Sequence, residues 1–318
     1  MKTGSGIEPD QVRNAYLAAC RLDVTALKPG NVSEAVAGHG MTADDFHRSS
    51  HASADAISNP GLSLGARIYS AVAATRSAVG CNTNLGMLLL CAPLAEAAMQ
   101  ARPGEDLHRA LQVVLRDATV DDAEQVFAAI RLANPGGLGD ADAHDVRDIA
   151  DVPLRQAMAA AADRDRIARQ YASGFADLFE DALPRYTAVR LAEGDEHRVV
   201  TDLYLYLLSS FPDSHVLRKH GYAAAIAVRD DGIAVYADWR ADRDSGAGEQ
   251  LQAFDQRLKG AGINPGTTAD LTVATLFLER LLHAAALNPG QSCRATLRQL
   301  RLASSGAPLI SMLLIGES

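Results

Sequence analysis

Apolar residues recur every three or four positions through most of this chain, and small polar clusters interrupt them. Val12, Ala15, Tyr16, Ala19, Cys20 and Leu22 form the stripe of an amphipathic helix over residues 10–27, which Lys28-Pro29-Gly30 ends. After a polar loop, Thr42 with Asp45 three residues later predicts a capped helix running to about Ile57, closed by Asn59-Pro60-Gly61. Alanine-rich residues 64–79 and apolar residues 87–101 predict two buried helices, joined by Gly80 to Gly86. Two more are expected at about 106–118 and 120–132, then at 155–183 and 197–210. Residues 222–239 alternate enough for a hairpin about Asp231-Gly232, but a helix is favoured. A helix to about Leu258 leads into GINPGTTADLTVATLFL, a polar turn opening a long apolar helix, with Thr267 or Thr268 as its N-cap.

No strand alternates with helices as a doubly wound sheet requires, and neither GxGxxG nor GxxxxGK[ST] occurs. The expected fold is all-α: one large multi-helix domain over residues 1–290, whose polar glycine-rich turns form the site. Residues 291–318, ending in the apolar PLISMLLIG, are expected as an extension packed on the same domain.

Hydrophobic residues make up 48% of the chain and charged ones 22%, which fits a folded globular protein rather than a disordered one. A net charge of −9 argues against a general polyanion binder, so nucleic acid is excluded as a partner and an anionic ligand needs a local pocket. Four cysteines without a CxxC pair read as free thiols of a reducing compartment. With no apolar signal core at the N-terminus and no run of about 18 apolar residues, the expectation is a cytoplasmic protein without membrane contact.

The chemistry-bearing residues sit in the turns. GCNTNLG sets Asn82, Thr83 and Asn84 between glycines that permit close backbone approach to a ligand; the same residues also suit plain helix-end capping. Asp44, His47, His51 and Asp55 share one helical face, where a solvated surface is preferred to a metal site because HExxH and similar patterns are absent. DADAHDVRD crowds Asp140, Asp142, Asp145 and Asp148 into nine residues, equally compatible with a magnesium site and a solvated acidic loop. PDSHVLRKH gathers Asp213, His215, Arg218 and Lys219, offering acid, base and anion-binding groups, with surface capping by Asp213 as the competing reading.

Four segments in this order, KPGNVSEAVAGHGMTADDF, GCNTNLGMLLLCAPLAE, PDSHVLRKHG and GINPGTTADLTVATLFL, resemble the triphosphoribosyl-dephospho-CoA synthase family over about residues 28–282. The resemblance implies an all-helical transferase. It would take ATP, expel adenine and join the triphosphoribosyl group to the 2'-hydroxyl of dephospho-CoA, using magnesium, a carboxylate to activate the acceptor, and an acid for the leaving base. Pro29 and Gly30 match the family's first turn, Asp45 its acidic position, Asn82 and Thr83 its Asn-Thr turn, Asp213 and Arg218 its third motif, and Asn264, Gly266 and Asp270 its fourth. On this basis Asp45, Asn82 and Asp213 are the catalytic candidates. The substrate-binding candidates are Pro29, Gly30, Asn31, His39, Thr83, Asn84, His215, Arg218, Lys219, Asn264, Gly266 and Asp270; Asp140, Asp142 and Asp145 are the candidates for Mg2+.

The chain departs from the family's Asn-Thr-His-Lys-Gly by reading Asn82-Thr83-Asn84-Leu85-Gly86, so a basic pair is lost. It also has Gly38-His39-Gly40 in place of a Gly-Ala-His order. PGNV and NTNLG resemble more closely a branch found in archaea and one-carbon-metabolising bacteria. The expected partners are a nucleotide and an unidentified acceptor, with transfer to a pterin or other one-carbon carrier, or a non-catalytic nucleotide-binding subunit, as the alternatives. A homodimer is expected by analogy with helical enzymes of this size.

Overall fold

The computed structural model describes residues 6–34, 38, 40–137, 143–241 and 247–287. Among them the secondary structure is helical, without strands. The expected 291–318 extension, His39, Asp140 and Asp142 lie outside the described residues.

Fourteen α-helices are described: α1 (Pro9–Thr25), α2 (Ala43–Ile57), α3 (Leu64–Val79), α4 (Leu85–Gln100), α5 (Leu107–Asp117), α6 (Val120–Ala133), α7 (Leu154–Ala159), α8 (Arg166–Ser173), α9 (Leu183–Ala192), α10 (Glu196–Ser210), α11 (Ser214–His220), α12 (Tyr222–Ala241), α13 (Ala247–Gly260) and α14 (Gly266–Leu287). The favoured helix over 222–239 is present as α12. Thr42 caps α2 by accepting the Asp45 N–H, while Asp45 reaches back to the Thr42 N–H, a reciprocal capping box. Gly80 ends α3 in the left-handed conformation, at φ 75°.

The single helix expected over 155–183 is instead broken. Asp165 starts α8 by accepting the N–H groups of Ile167 and Ala168, and Gly174, at φ 72°, stops it. A π-helical turn, Asp177–Ala182, then runs into α9. The long apolar helix also starts earlier than expected. Gly266 is its first residue, so Thr267 and Thr268 lie inside its first turn.

The centre of the fold is α14, which packs against α1, α4 and α10. Its residues 271–278 are buried all round, the condition for a helix with no polar face. Thr272 and Thr275 are tolerated there because each hydroxyl donates to the carbonyl four residues earlier. In α4, Pro93 lacks the N–H that would bond the Leu89 carbonyl. The buried Tyr171 hydroxyl donates to that carbonyl at 2.6 Å, satisfying it. A smaller core of Tyr204, Leu205, Leu208, Val216, Trp239, Leu251 and Phe254 joins α10 to α13. No helix among the described residues is long and apolar enough to cross a membrane.

Candidate functional site

A cavity of about 690 Å³ opens where the polar turns meet. Its wall includes Asn31 of the first turn, Asn82, Thr83, Asn84 and Gly86 of the second, His215, Arg218 and Lys219 of α11, and Asn264, Gly266 and Asp270 around the start of α14. Sequence separations of up to 239 residues are thus closed into one site, and four helix N-termini, those of α4, α8, α11 and α14, contribute to its lining. Helix N-termini carry partial positive charge and favour an anionic ligand.

Each turn is held from behind. Gly30, at φ 83°, donates its N–H to Asp255 at 2.8 Å, and a Cβ there would lie 2.7 Å from Pro265. The Pro29 carbonyl accepts the Tyr204 hydroxyl at 2.6 Å. Pro29 and Gly30 thus hold the turn from behind and are not themselves among the lining residues. Asn31 lines the cavity, its amide donating to Tyr204 and to the Pro265 carbonyl. In the second turn Asn82 Oδ1 accepts the Leu85 N–H at 3.1 Å, so this residue caps α4 while facing the cavity. Thr83 donates to Ser49 on α2 at 2.7 Å.

Two carboxylates expected in catalysis lie outside the lining and make capping contacts. Asp45 belongs to the box with Thr42, whose N–H and hydroxyl hold its carboxyl below the usual range, and it does not line the cavity. Asp213 is fully buried with four donors: the N–H groups of His215 and Val216 on Oδ1, and the Thr268 N–H and hydroxyl on Oδ2. It ties the N-termini of α11 and α14 together from outside the lining. Asp145 lines the cavity but pairs with Arg147, Oδ2 to Nη2 at 2.7 Å, and no group of three metal-ligating side chains occurs among the described residues. The α2 stripe is engaged on the surface, with His47 beside Glu34 and Asp55 beside Arg13.

Besides Asp145, the carboxylates that line the cavity are Asp270, Asp23 and Asp165. Asp270 lies against the start of α4: its carboxyl accepts the Met87 N–H, and a Cβ on Gly86 would fall 2.0 Å from its Oδ2. Burial pushes its carboxyl well above the ordinary range, the charges of Asp213 and Asp23 add to the rise, and the Met87 N–H opposes it. Asp23 is also raised by burial, but Lys28 opposes that rise. Lys28 is 1% exposed, donates to the Asp23 carbonyl at 2.7 Å and pairs with Oδ1 at 2.9 Å. Both residues line the cavity. Asp165 bonds Arg218 at 3.3 Å, and Arg218 also donates to the Gly136 carbonyl, drawing the NPGG loop against α11. Arg164 and Lys219 are exposed where they meet the cavity.

Sequence reasoning missed Asp23, Lys28, Arg164 and Asp165 as lining residues. Lys28 stood in the quoted KPGN turn, and Asp165 in a recognisable N-cap position, so both had signals; Asp23 had none beyond its place on α1. The assembled site offers cations and helix N-termini for phosphates, enclosed carboxyls for proton transfer, and amides for directional recognition.

A family model described as ATP:dephospho-CoA triphosphoribosyl transferase matches residues 9–289. A protein of Stutzerimonas stutzeri described as a probable 2-(5''-triphosphoribosyl)-3'-dephosphocoenzyme-A synthase is 29% identical over 51% of this chain and 52% of its own. One of the same description from Pseudomonas paraeruginosa is 27% identical over 66% of this chain and 64% of its own. The chain thus matches between about half and two-thirds of these relatives' lengths. A crystal structure named for a triphosphoribosyl-dephospho-CoA synthase of Archaeoglobus fulgidus superposes with a TM-score of 0.58 at 26% identity, covering 72% of this chain and 95% of that one.

Proposed function

This chain belongs to the ATP:dephospho-CoA triphosphoribosyl transferase family, and from that premise we propose that its cavity binds ATP and transfers the triphosphoribosyl group to the 2'-hydroxyl of dephospho-CoA, releasing adenine. The acceptor oxygen forms a bond to ribose C1 as the bond from C1 to adenine N9 breaks; the hydroxyl proton leaves and adenine gains one. The observation that carries the reading is Asp270, an enclosed carboxyl beside the α4 N-terminus whose surroundings keep a proton on it above the usual range. Such a group suits proton donation to the departing base. Asp23, with Lys28 beside it, is the more readily ionised partner and suits accepting the hydroxyl proton or facing the oxocarbenium-like centre.

Arg164, Arg218 and Lys219 supply the positive charge for the triphosphate that the Asn84-Leu85 turn lacks. A magnesium ion arriving with the triphosphate needs only one or two protein oxygens. Asp165 is the cavity carboxylate next to Arg164, but its Oδ1 accepts the Ile167 and Ala168 N–H groups and its Oδ2 pairs with Arg218, so such an ion would be held chiefly by the triphosphate itself. Bound there, it would neutralise phosphate charge.

The test is incubation of the full chain with ATP, magnesium and dephospho-CoA, followed by mass analysis. Adenine and a triphosphoribosylated dephospho-CoA should form in equal amounts. Adenine release only with another acceptor, such as a pterin, would reassign the acceptor, and no release with any acceptor would overturn the transferase reading.

A further inference from the structure

Two polar atoms in the cavity wall have no partner among the described residues: the Asn84 amide nitrogen and the Asn264 carboxamide oxygen. Asn84 occupies the N-cap position of α4 yet its side chain makes no capping bond, and it is only 4% exposed. A buried donor or acceptor left unpaired is disfavoured by about 1–3 kcal/mol, so such atoms in a cavity wall point to a ligand that completes them. Both residues line the same cavity as Asp270. Gly86, two positions after Asn84, lies against the Asp270 carboxyl, and Asn264 stands two residues before α14, whose second turn carries Asp270.

We propose that Asn84 and Asn264 read the adenine base in this cavity, Asn84 donating to a ring nitrogen and Asn264 accepting from the exocyclic amine. The assignment rests on the nucleotide reading above and names its base subsite. Phosphate offers only acceptors and leaves Asn264 Oδ1 unsatisfied. The adenine edge presents one donor next to one acceptor, the complement of this pair. The pair is neutral at all physiological pH values, so recognition of the base does not titrate.

The experiment is calorimetric binding of ATP, purine riboside triphosphate (which lacks the 6-amino group), the 1-deaza and 7-deaza analogues of ATP, and inorganic tripolyphosphate. Wild type should bind the purine analogue about tenfold more weakly than ATP, the order expected for one buried hydrogen bond. Asn264→Leu should bind both equally, at the weaker level. One of the two deaza analogues should show a loss of similar size in wild type that disappears in Asn84→Ala. Tripolyphosphate affinity should be unchanged in both variants, and melting curves establish that they fold. Undiminished discrimination in both variants, or tripolyphosphate weakened as much as ATP, would overturn the base-reading assignment. If wild type binds none of the nucleotides, the nucleotide reading itself falls, and the assignment with it.

Discussion

Replacing Asp213 by asparagine exchanges one carboxylate oxygen for an NH2 group in a site that holds only donors. Asp213 accepts the His215 and Val216 N–H groups on one oxygen, at 2.8 and 3.0 Å, and the Thr268 N–H and hydroxyl on the other, at 2.7 and 2.8 Å; burial raises its carboxyl above the ordinary range and these donors oppose the rise. The less damaging amide orientation keeps the first pair and turns NH2 toward Thr268. The Thr268 hydroxyl can rotate to accept; its backbone N–H cannot. One charge-assisted bond is lost and one buried N–H is left facing another donor, a loss of about 2–3 kcal/mol. For a chain of this size that lowers the Tm by about 5 °C. The local consequence is larger than the global one, because α11 and α14 meet here, with a built Cβ on Gly266 only 2.3 Å from His215 Nδ1. Thermal and urea unfolding read the stability, and steady-state kinetics should show KM for ATP rising more than kcat falls. Unchanged stability with kcat reduced a hundredfold would refute this reasoning and return Asp213 to the chemistry.

Gly86→Ala should lower stability by about 1–3 kcal/mol, against the helix-propensity gain of about 1 kcal/mol, because the new methyl displaces Asp270 and Ile167; a raised Tm in calorimetry would contradict the packing. Burial raises the Asp122 carboxyl, but the N–H groups of Thr119 and Gly65 and nearby hydroxyls outweigh it, so its folded pKa is lowered. Its contribution is therefore complete above the ordinary Asp range and lost as pH falls through the folded value. Asp122→Asn should flatten the acid limb of stability as pH falls below the ordinary Asp range, measured by denaturant titration. Tyr171→Phe strips the Leu89 carbonyl of its donor and should destabilise by about 1–3 kcal/mol, and Pro93→Ala in that background should restore part of the loss by returning an N–H. Additive losses in the double variant would rule that exchange out.

Most helices were legible because their stripes, caps and terminating glycines act locally: Thr42 and Gly80 do in the fold what their neighbours in sequence imply. The break within residues 155–183 was not, since the αL residues Gly174 and Phe175 and the π turn interrupt a pattern whose apolar periodicity continues. The site was legible as a set of polar turns, and most of the residues picked in GCNTNLG and NPGTTAD do share a cavity. Carboxylate roles were not. A capping aspartate and a cavity aspartate look alike in sequence; what separates Asp45 and Asp213 from Asp270 is that only Asp270 lines the cavity, while Asp45 closes a capping box and Asp213 holds three backbone N–H groups. Lys28 reads as a solvated turn lysine, and only tertiary packing encloses it with Asp23.

The central claim is that Asp270 serves the departure of adenine, and the direct measurement is the rate of adenine release from ATP with dephospho-CoA by wild type and Asp270→Asn. The amide oxygen can still accept the Met87 N–H, and removing an enclosed ionisable group relieves the burial that raises its pKa, so the variant's Tm at pH 8 should not fall. Loss of the proton donor should slow adenine release by about a hundredfold or more while calorimetric ATP binding persists. Adenine release by Asp270→Asn at the wild-type rate would contradict the account.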